Sequence, residues 1–229
     1  MAVLSTIDLT GRAADKAVID ELTTADGPCH VTGGDFSGLE FGEVDLFGWH
    51  FENCRFLRAR LRRTRLSDTI WTSCKGAFAD FVHADLVDAR FVGSDFNNAV
   101  FRHALLASAS FERCKLTGAD FTDAGMVDLK LQDVQAIDAQ LPGVSFKNMA
   151  LEEVDFSGAL LEGSDFRHTV FTNCSLRDAQ LAKARFDGAD LRGADLGGIR
   201  LGDASRFRGA VISRAQASDL LKELGLKVL

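Results

Sequence analysis

The sequence predicts one continuous repeat domain, and three observations carry that prediction. A large apolar residue returns every five positions from Val31 to Leu201 without a slip; of these 35 centres 15 are Phe and 15 are Leu, and the others are Val31, Trp71, Gly76, Met126 and Ala136. The residue two before each centre is small, being Ala at 15 of the 35 positions and otherwise mostly Cys, Ser, Thr or Val. The ends, residues 1–28 and 204–229, leave this pattern. A spacing of five fits neither the strand period of about 2 nor the helix period of about 3.6, so the repeat itself is the structural unit.

Units such as Ala119–Asp123 (ADFTD), Ala189–Gly193 (ADLRG) and Ala194–Gly198 (ADLGG) resemble the A(D/N)LXX consensus of pentapeptide repeat proteins. The resemblance implies an all-β solenoid, a right-handed quadrilateral β-helix in which four pentapeptides make one coil. Coils then stack by backbone hydrogen bonds at the strand separation of about 4.8 Å. On this reading Phe101, Phe111, Phe121 and Leu131 point inward with their five-spaced equivalents. The chain divides into an N-terminal cap at 1–28, partly helical, the repeat at 29–203, and a C-terminal helix with a short strand at 204–229.

The ends suit caps, because a solenoid's first and last coils would otherwise present unpaired strand edges. In 11–27, Ala14, Val18 and Leu22 lie at helical spacing and Gly27 with Pro28 forms a stop. In 213–225, Ser213 and Gln216 form a capping box, Ala217, Leu220, Leu221 and Leu224 share one face, and Gly225 is a C-cap. Residues 226–229 can return as a strand. An apolar helix at the end of a solenoid is a cap or a dimer surface.

Inside the repeat, two zones change chemistry without losing phase. Gly76 leaves a void that Phe78 can turn inward to fill, and at Ala136 the larger residues Val134, Val144, Met149 and Val154 compensate for lost volume, with Pro142 beside them. Either zone is a packing adjustment or a bend. All five cysteines (Cys29, Cys54, Cys74, Cys114, Cys174) take the small inward position and read as buried, reduced space-fillers. Stacked parallel side chains have poor geometry for a Cys54–Cys74 bridge.

Outward residues 20 apart share a column. Glu43, Arg63, His83, His103 and Asp123 form one, which reads as a charged ladder more readily than as a metal site. Arg55 to Arg65 contains six arginines, a solvated face or a contact for an acidic protein or nucleic acid. No P-loop, HExxH or CxxC motif is present, so neither catalysis nor a cofactor or metal is expected. The net charge of −7, the lack of a long apolar run and an N-terminus without signal-peptide form point to a cytoplasmic protein that does not enter the membrane.

Residues 29–115 carry 11 acids and 11 bases, whereas 116–203 carry 15 acids and 8 bases, giving nets of 0 and −7. The tail from Phe207 onward is similar to the ends of the fluoroquinolone-resistance pentapeptide repeat proteins of the MfpA and Qnr types. The unbroken phase leaves no room for the long projecting loops of the Qnr type, which makes the MfpA type the closer comparison. That resemblance implies a homodimer through the terminal helix at Ala217, Leu220, Leu221 and Leu224. It further implies mimicry of duplex DNA, so that the protein binds and inhibits DNA gyrase and shields it from quinolone-type poisons without itself binding nucleic acid strongly. Asp178, Asp187, Asp190 and Asp195 are then the candidate gyrase contacts. The alternative is a non-catalytic interaction scaffold with another partner.

Overall fold

The computed structural model describes residues 4–12, 14–24, 27–199, 204–223 and 225–228. The fold is a right-handed, four-sided parallel β-solenoid. Its residues form two compact units, one ending at Lys130 and one beginning at Leu131.

In the first unit, β1 (Ser5–Asp8) and α1 (Lys16–Thr23) precede β2 (Cys29–Thr32), β3 (His50–Glu52), β4 (Ile70–Thr72), β5 (Arg90–Val92) and β6 (Ser110–Lys115). Each strand from β2 pairs with the next in parallel, 20 residues on: His30 with His50, His50 with Ile70, Ile70 with Arg90, Arg90 with Ser110. The other three sides carry short bridges at the same offset, Asp35 to Arg55, Glu40 to Arg60 and Asp45 to Arg65, so one coil is four pentapeptides. Amides bond to the coils on either side, as Phe36 N does to Arg55 O and Arg55 N to Gly34 O, both at 2.8 Å.

Five-residue units follow from the turn at each corner. The centre's carbonyl accepts from the amide three residues on, as Phe56 does from Ala59 at 3.0 Å and Phe81 from Ala84 at 2.9 Å. The third turn residue is left-handed, with φ of 55° at Arg58, 59° at Phe78 and 60° at His83, the geometry of a type II turn. Non-glycine residues hold that conformation because the coils on both sides bond the same backbone. Aspartate before the centre completes the corner: the side chains of Asp80, Asp120, Asp165, Asp190 and Asp195 each accept the amide two residues on, at 2.9–3.2 Å. This is the physical content of the Asp in the repeat.

The interior is stacked rings. Phe81, Phe101 and Phe121 follow one another at 4.8 and 4.7 Å, and Phe51, Trp71, Phe91 and Phe111 at 4.6, 5.5 and 4.6 Å. Phe101, Phe111, Phe121 and Leu131 are all buried. The Trp71 indole N–H donates to Thr69 Oγ1 at 2.9 Å, so a buried polar atom is satisfied within the stack. Phe78 does not turn inward. It is half exposed under the Arg58 guanidinium, and the space beside Gly76 belongs to Phe96, whose ring would lie 2.2 Å from a Cβ at that position.

The N-terminus contains a strand that periodicity did not indicate. β1 pairs with β2 at an offset of 24, Ser5 with Cys29 and Ile7 with Val31. Asp15 caps α1, accepting the Val18 amide at 3.0 Å, and Ala14, Val18 and Ile19 are buried alongside Leu9. The side chain of Leu22 lies outside the described residues.

The second unit holds β7 (Lys130–Gln135) from its second residue onward, β8 (Ala150–Asp155), β9 (Val170–Thr172), β10 (Cys174–Ser175), β11 (Ala194–Asp195), a 3-10 turn (Ala204–Phe207) and α2 (Arg214–Glu223). The same 20-residue ladder runs through it, Gln135 with Asp155, Gln140 with Leu160 and Ser145 with Asp165. Around Ala136 the ladder continues unbroken, and Val134, Val144 and Val154 are buried. Beyond Ile199 the register lengthens by one residue: Asp190 bridges Val211, and Phe207 takes the inward place, its ring 5.0 Å from Phe186. Leu201 lies outside the described residues. Residues 226–228 form no strand, contrary to the expected return.

Candidate partner-binding surfaces

The arginine coil of the first unit is interleaved with carboxylates. Arg60 faces Glu40 at 3.4 Å, Arg63 faces Glu43 at 3.8 Å and Arg65 faces Asp45 at 2.8 Å, all from the preceding coil, while Arg62 reaches Asp80 of the following one at 2.6 Å. The Arg65 guanidinium also covers the exposed Phe47 ring at 4.8 Å. Each pair is solvent-exposed and contributes at most about 1 kcal/mol, but together they cancel most of the positive charge that a nucleic acid would seek.

Two histidine pairs stand on this unit. His83 and His103 stack at 4.9 Å, with His103 Nδ1 4.0 Å from Asp123, and His30 and His50 stack at 4.3 Å. His30 bonds to Glu52 at 2.9 Å and His50 to Thr72 at 3.0 Å. Burial, then the neighbouring His30 ring, holds the His50 pKa below its ordinary value. No group of three metal-ligating side chains is placed to hold an ion among the described residues.

The cysteines are buried and unpaired, with thiols donating to main-chain carbonyls: Cys74 to Phe51 O and Cys114 to Phe91 O, each at 3.3 Å. Burial pushes the Cys114 thiol up to about 11. At that pKa the Cys114 thiol is a poor nucleophile at neutral pH.

In the second unit, three of the four candidate aspartates are held by arginine. Asp190 takes Arg192 at 2.6 Å, Asp195 takes Arg177 at 2.9 Å and Asp187 lies 3.8 Å from Arg185. The bond from Arg192 holds the Asp190 carboxyl below its ordinary range. Asp178 sits at a left-handed corner with φ of 55° and has no ion pair among the described residues. The same is true of a corner that the charge count did not single out. Asp133 and Glu153, both left-handed, occupy adjacent coils beside Glu152, whose only described partner is the amide of Gln132 at 3.4 Å.

The terminal helix is joined to its own coil. Ser213 N donates to Gln216 Oε1 at 2.6 Å and Gln216 N to Ser213 Oγ at 3.1 Å, the reciprocal capping box. Gln216 Nε2 then gives its two protons to the carbonyls of Leu191 and Ala194, at 2.7 and 2.6 Å. Gly225 N to Lys222 O and Leu226 N to Leu221 O close a Schellman motif. Of the apolar face, Leu220 is buried within the protomer, Ala217 is half-buried and Leu221 is exposed; Leu224 lies outside the described residues.

Stacked coils with ring-filled interiors and polar outward columns define a repeat solenoid. Sequence models of the pentapeptide repeats, in eight-copy form, match residues 54–92, 130–167, 159–198 and 184–219, and a related model, the pentapeptide repeat region, matches 77–141. The chain belongs to the pentapeptide repeat family, whose β-solenoids are generally structural or interaction proteins rather than enzymes. No curated protein matches it in sequence. Among solved structures it is similar to trypsin-treated QnrB1, a plasmid-mediated fluoroquinolone resistance protein, with 23% identity over 87% of this chain and 99% of that one and a TM-score of 0.74. Full-length QnrB1 aligns with 21% identity over 98% and 99% of the two chains, with a TM-score of 0.53. Among the described residues no helix is long and apolar enough to cross a membrane.

Proposed function

We propose that this protein is a non-catalytic, cytoplasmic partner-binding solenoid that engages DNA gyrase as a DNA mimic, lowering its activity and protecting it from quinolone-type poisons. The observation that carries the reading is the surplus of carboxylates in 116–203, 15 acids against 8 bases, on a fold shared with a fluoroquinolone resistance protein. Carboxylates at coil spacing offer a basic surface a regular row of negative charge. The contacts best able to do this are Asp133, Glu152, Glu153 and Asp178, because Asp187, Asp190 and Asp195 already face arginine. A homodimer belongs to the same proposal, with Leu221 and the exposed Leu226 and Val228 as its apolar contact.

A supercoiling assay titrated with the purified protein tests this. Inhibition at micromolar concentrations is expected, with no retardation of DNA on its own. Unaffected supercoiling at protein concentrations on the order of tens of micromolar refutes gyrase binding. The neutralisation of Asp187, Asp190 and Asp195 favours a second reading in that event, an interaction scaffold whose partner is not a DNA-binding enzyme.

A further inference from the structure

We propose that the corner formed by Leu105, Ala107 and Val127 is a docking site for a protein segment that inserts an apolar side chain between flanking lysines or arginines. Val127 is 68% exposed and Leu105 53%, the highest values for large apolar side chains among the described residues of the first unit. They occupy adjacent coils: Leu105 bridges Gly125, and Ser108 N donates to Val127 O at 2.8 Å. Ala107 stands one coil before Val127 in the same column. Gly125 contributes no side chain, so the Leu105 side chain meets open space where a residue of the next coil would stand. A Cβ there would lie 3.7 Å from Leu105 Cδ2.

The two exposed phenylalanines of this unit are treated differently, each lying under an arginine, Phe47 with Arg65 at 4.8 Å and Phe78 with Arg58 at 5.6 Å. Leu105 and Val127 have no such cover among the described contacts. Three carboxylates stand beside them, and Arg65, one coil before Asp85 in its column, is paired with Asp45. Asp85 bridges Leu105, Asp88 N donates to Ala107 O at 2.9 Å, and Asp128 follows Val127, with Asp88 and Asp128 held at left-handed corners by φ of 58° and 56°.

None of these three carboxylates belongs to an ion pair among the described residues, whereas Asp80 and Asp120 face Arg62 and Arg102. Arg90 and Lys130, next along the chain, pair with neither Asp88 nor Asp128. An apolar ledge with three unpaired carboxylates beside it matches a cationic segment with an apolar anchor, since removing the anchor's surface from water supplies affinity and the carboxylates select positive flanks. An acidic partner or a nucleic acid would meet repulsion there. Asp85, Asp88 and Asp128 are not among the contacts named for gyrase, Asp133, Glu152, Glu153 and Asp178, so either proposal can fail alone.

The test uses the full chain and two fluorescein-labelled octapeptides, Gly-Arg-Lys-Leu-Leu-Lys-Arg-Gly and the same sequence with serine for leucine. The leucine peptide should bind on the order of tenfold more tightly than the serine control, with amide shifts in nuclear magnetic resonance spectra confined to residues 105–108 and 125–129. Leu105→Ser with Val127→Ser should abolish that preference, Asp88→Asn with Asp128→Asn should weaken binding and flatten its salt dependence, and Val170→Ser, at another exposed valine, should change nothing. Absence of leucine-peptide binding, equal affinity for the two peptides, full binding by the Leu105→Ser, Val127→Ser variant, or shifts centred elsewhere would overturn the proposal.

Discussion

Phe101 lies between Phe81 and Phe121 with its ring centroid 4.8 and 4.7 Å from theirs, and none of its surface reaches solvent. Phe101→Asp puts an unpaired carboxylate in that stack and should cost several kcal/mol, on the order of 3–5, in urea unfolding. Arg102→Asp, on the outward neighbour, should cost less than about 1 kcal/mol. Gly76→Ala is the opposite error: its Cβ meets the Phe96 ring at 2.2 Å, and overpacking of this kind costs about 1–3 kcal/mol, seen as a lowered Tm. His50 adds a pH term. Its folded pKa is depressed from 6.5, so below about 6.5 the unfolded chain binds a proton that the folded chain resists. Stability present above that pH is therefore lost as the pH falls through it. With His30, Glu52 and Thr72 left in place, His50→Gln should flatten the stability profile between about pH 7 and pH 5; an unchanged slope would show that the protonation of His50 is not linked to folding.

At the scale of an element, α2 is held by Gln216, whose amide satisfies two carbonyls of the last coil and whose oxygen caps the helix. Gln216→Leu leaves the Ala194 carbonyl without its side-chain donor and the Leu191 carbonyl with the Ala194 amide alone, and should cost about 1–3 kcal/mol, with faster proteolysis of the tail than of the coils. A tail cleaved at the wild-type rate would mean that α2 is held by the buried Leu220 and by Glu223, which accepts the Gly198 amide at 3.1 Å, without need of Gln216. Much of this architecture is legible in sequence, because the five-residue phase reports directly which side chains point inward and Ser213 with Gln216 marks the helix start. The parts it conceals depart from the period. β1 pairs at an offset of 24, with Ile7 as its one apolar residue among four, and Phe207 enters the stack after a one-residue insertion. The filling of Gly76 differs from the expectation because a ring from the next coil, Phe96, occupies the space, while the turn points Phe78 outward. Pairing at the candidate site was partly readable. Residues flanking an inward centre both face out, so Asp165 with Arg167, Arg185 with Asp187 and Asp190 with Arg192 signal neutralised carboxylates through their i, i+2 spacing. The Asp195–Arg177 pair crosses coils and needs the stacking to be known.

For the whole molecule, charge count and available charge differ, and that difference decides which substitutions test the gyrase proposal. Asp190 and Asp195 also accept corner amides, so Asp190→Asn or Asp195→Asn keeps the turn but removes a carboxylate already shared with arginine. Those changes, and Asp187→Asn, should alter gyrase inhibition by less than about threefold. Asp133→Asn, Glu152→Gln, Glu153→Gln and Asp178→Asn remove charge that no arginine neutralises, and combined they should weaken inhibition on the order of tenfold or more, which is about 1.4 kcal/mol or more of binding. Circular dichroism should be unchanged in both sets. The dimer enters the same experiment through Leu221→Glu, which charges an exposed helix position without touching the buried Leu220. Sedimentation should show a monomer with folded coils and a supercoiling assay reduced inhibition, because the proposal draws its binding surface from two copies. A monomeric Leu221→Glu protein that inhibits at full strength would separate dimerisation from gyrase action, and a larger loss from the arginine-paired set than from the unpaired set would overturn the assignment of the acidic contacts.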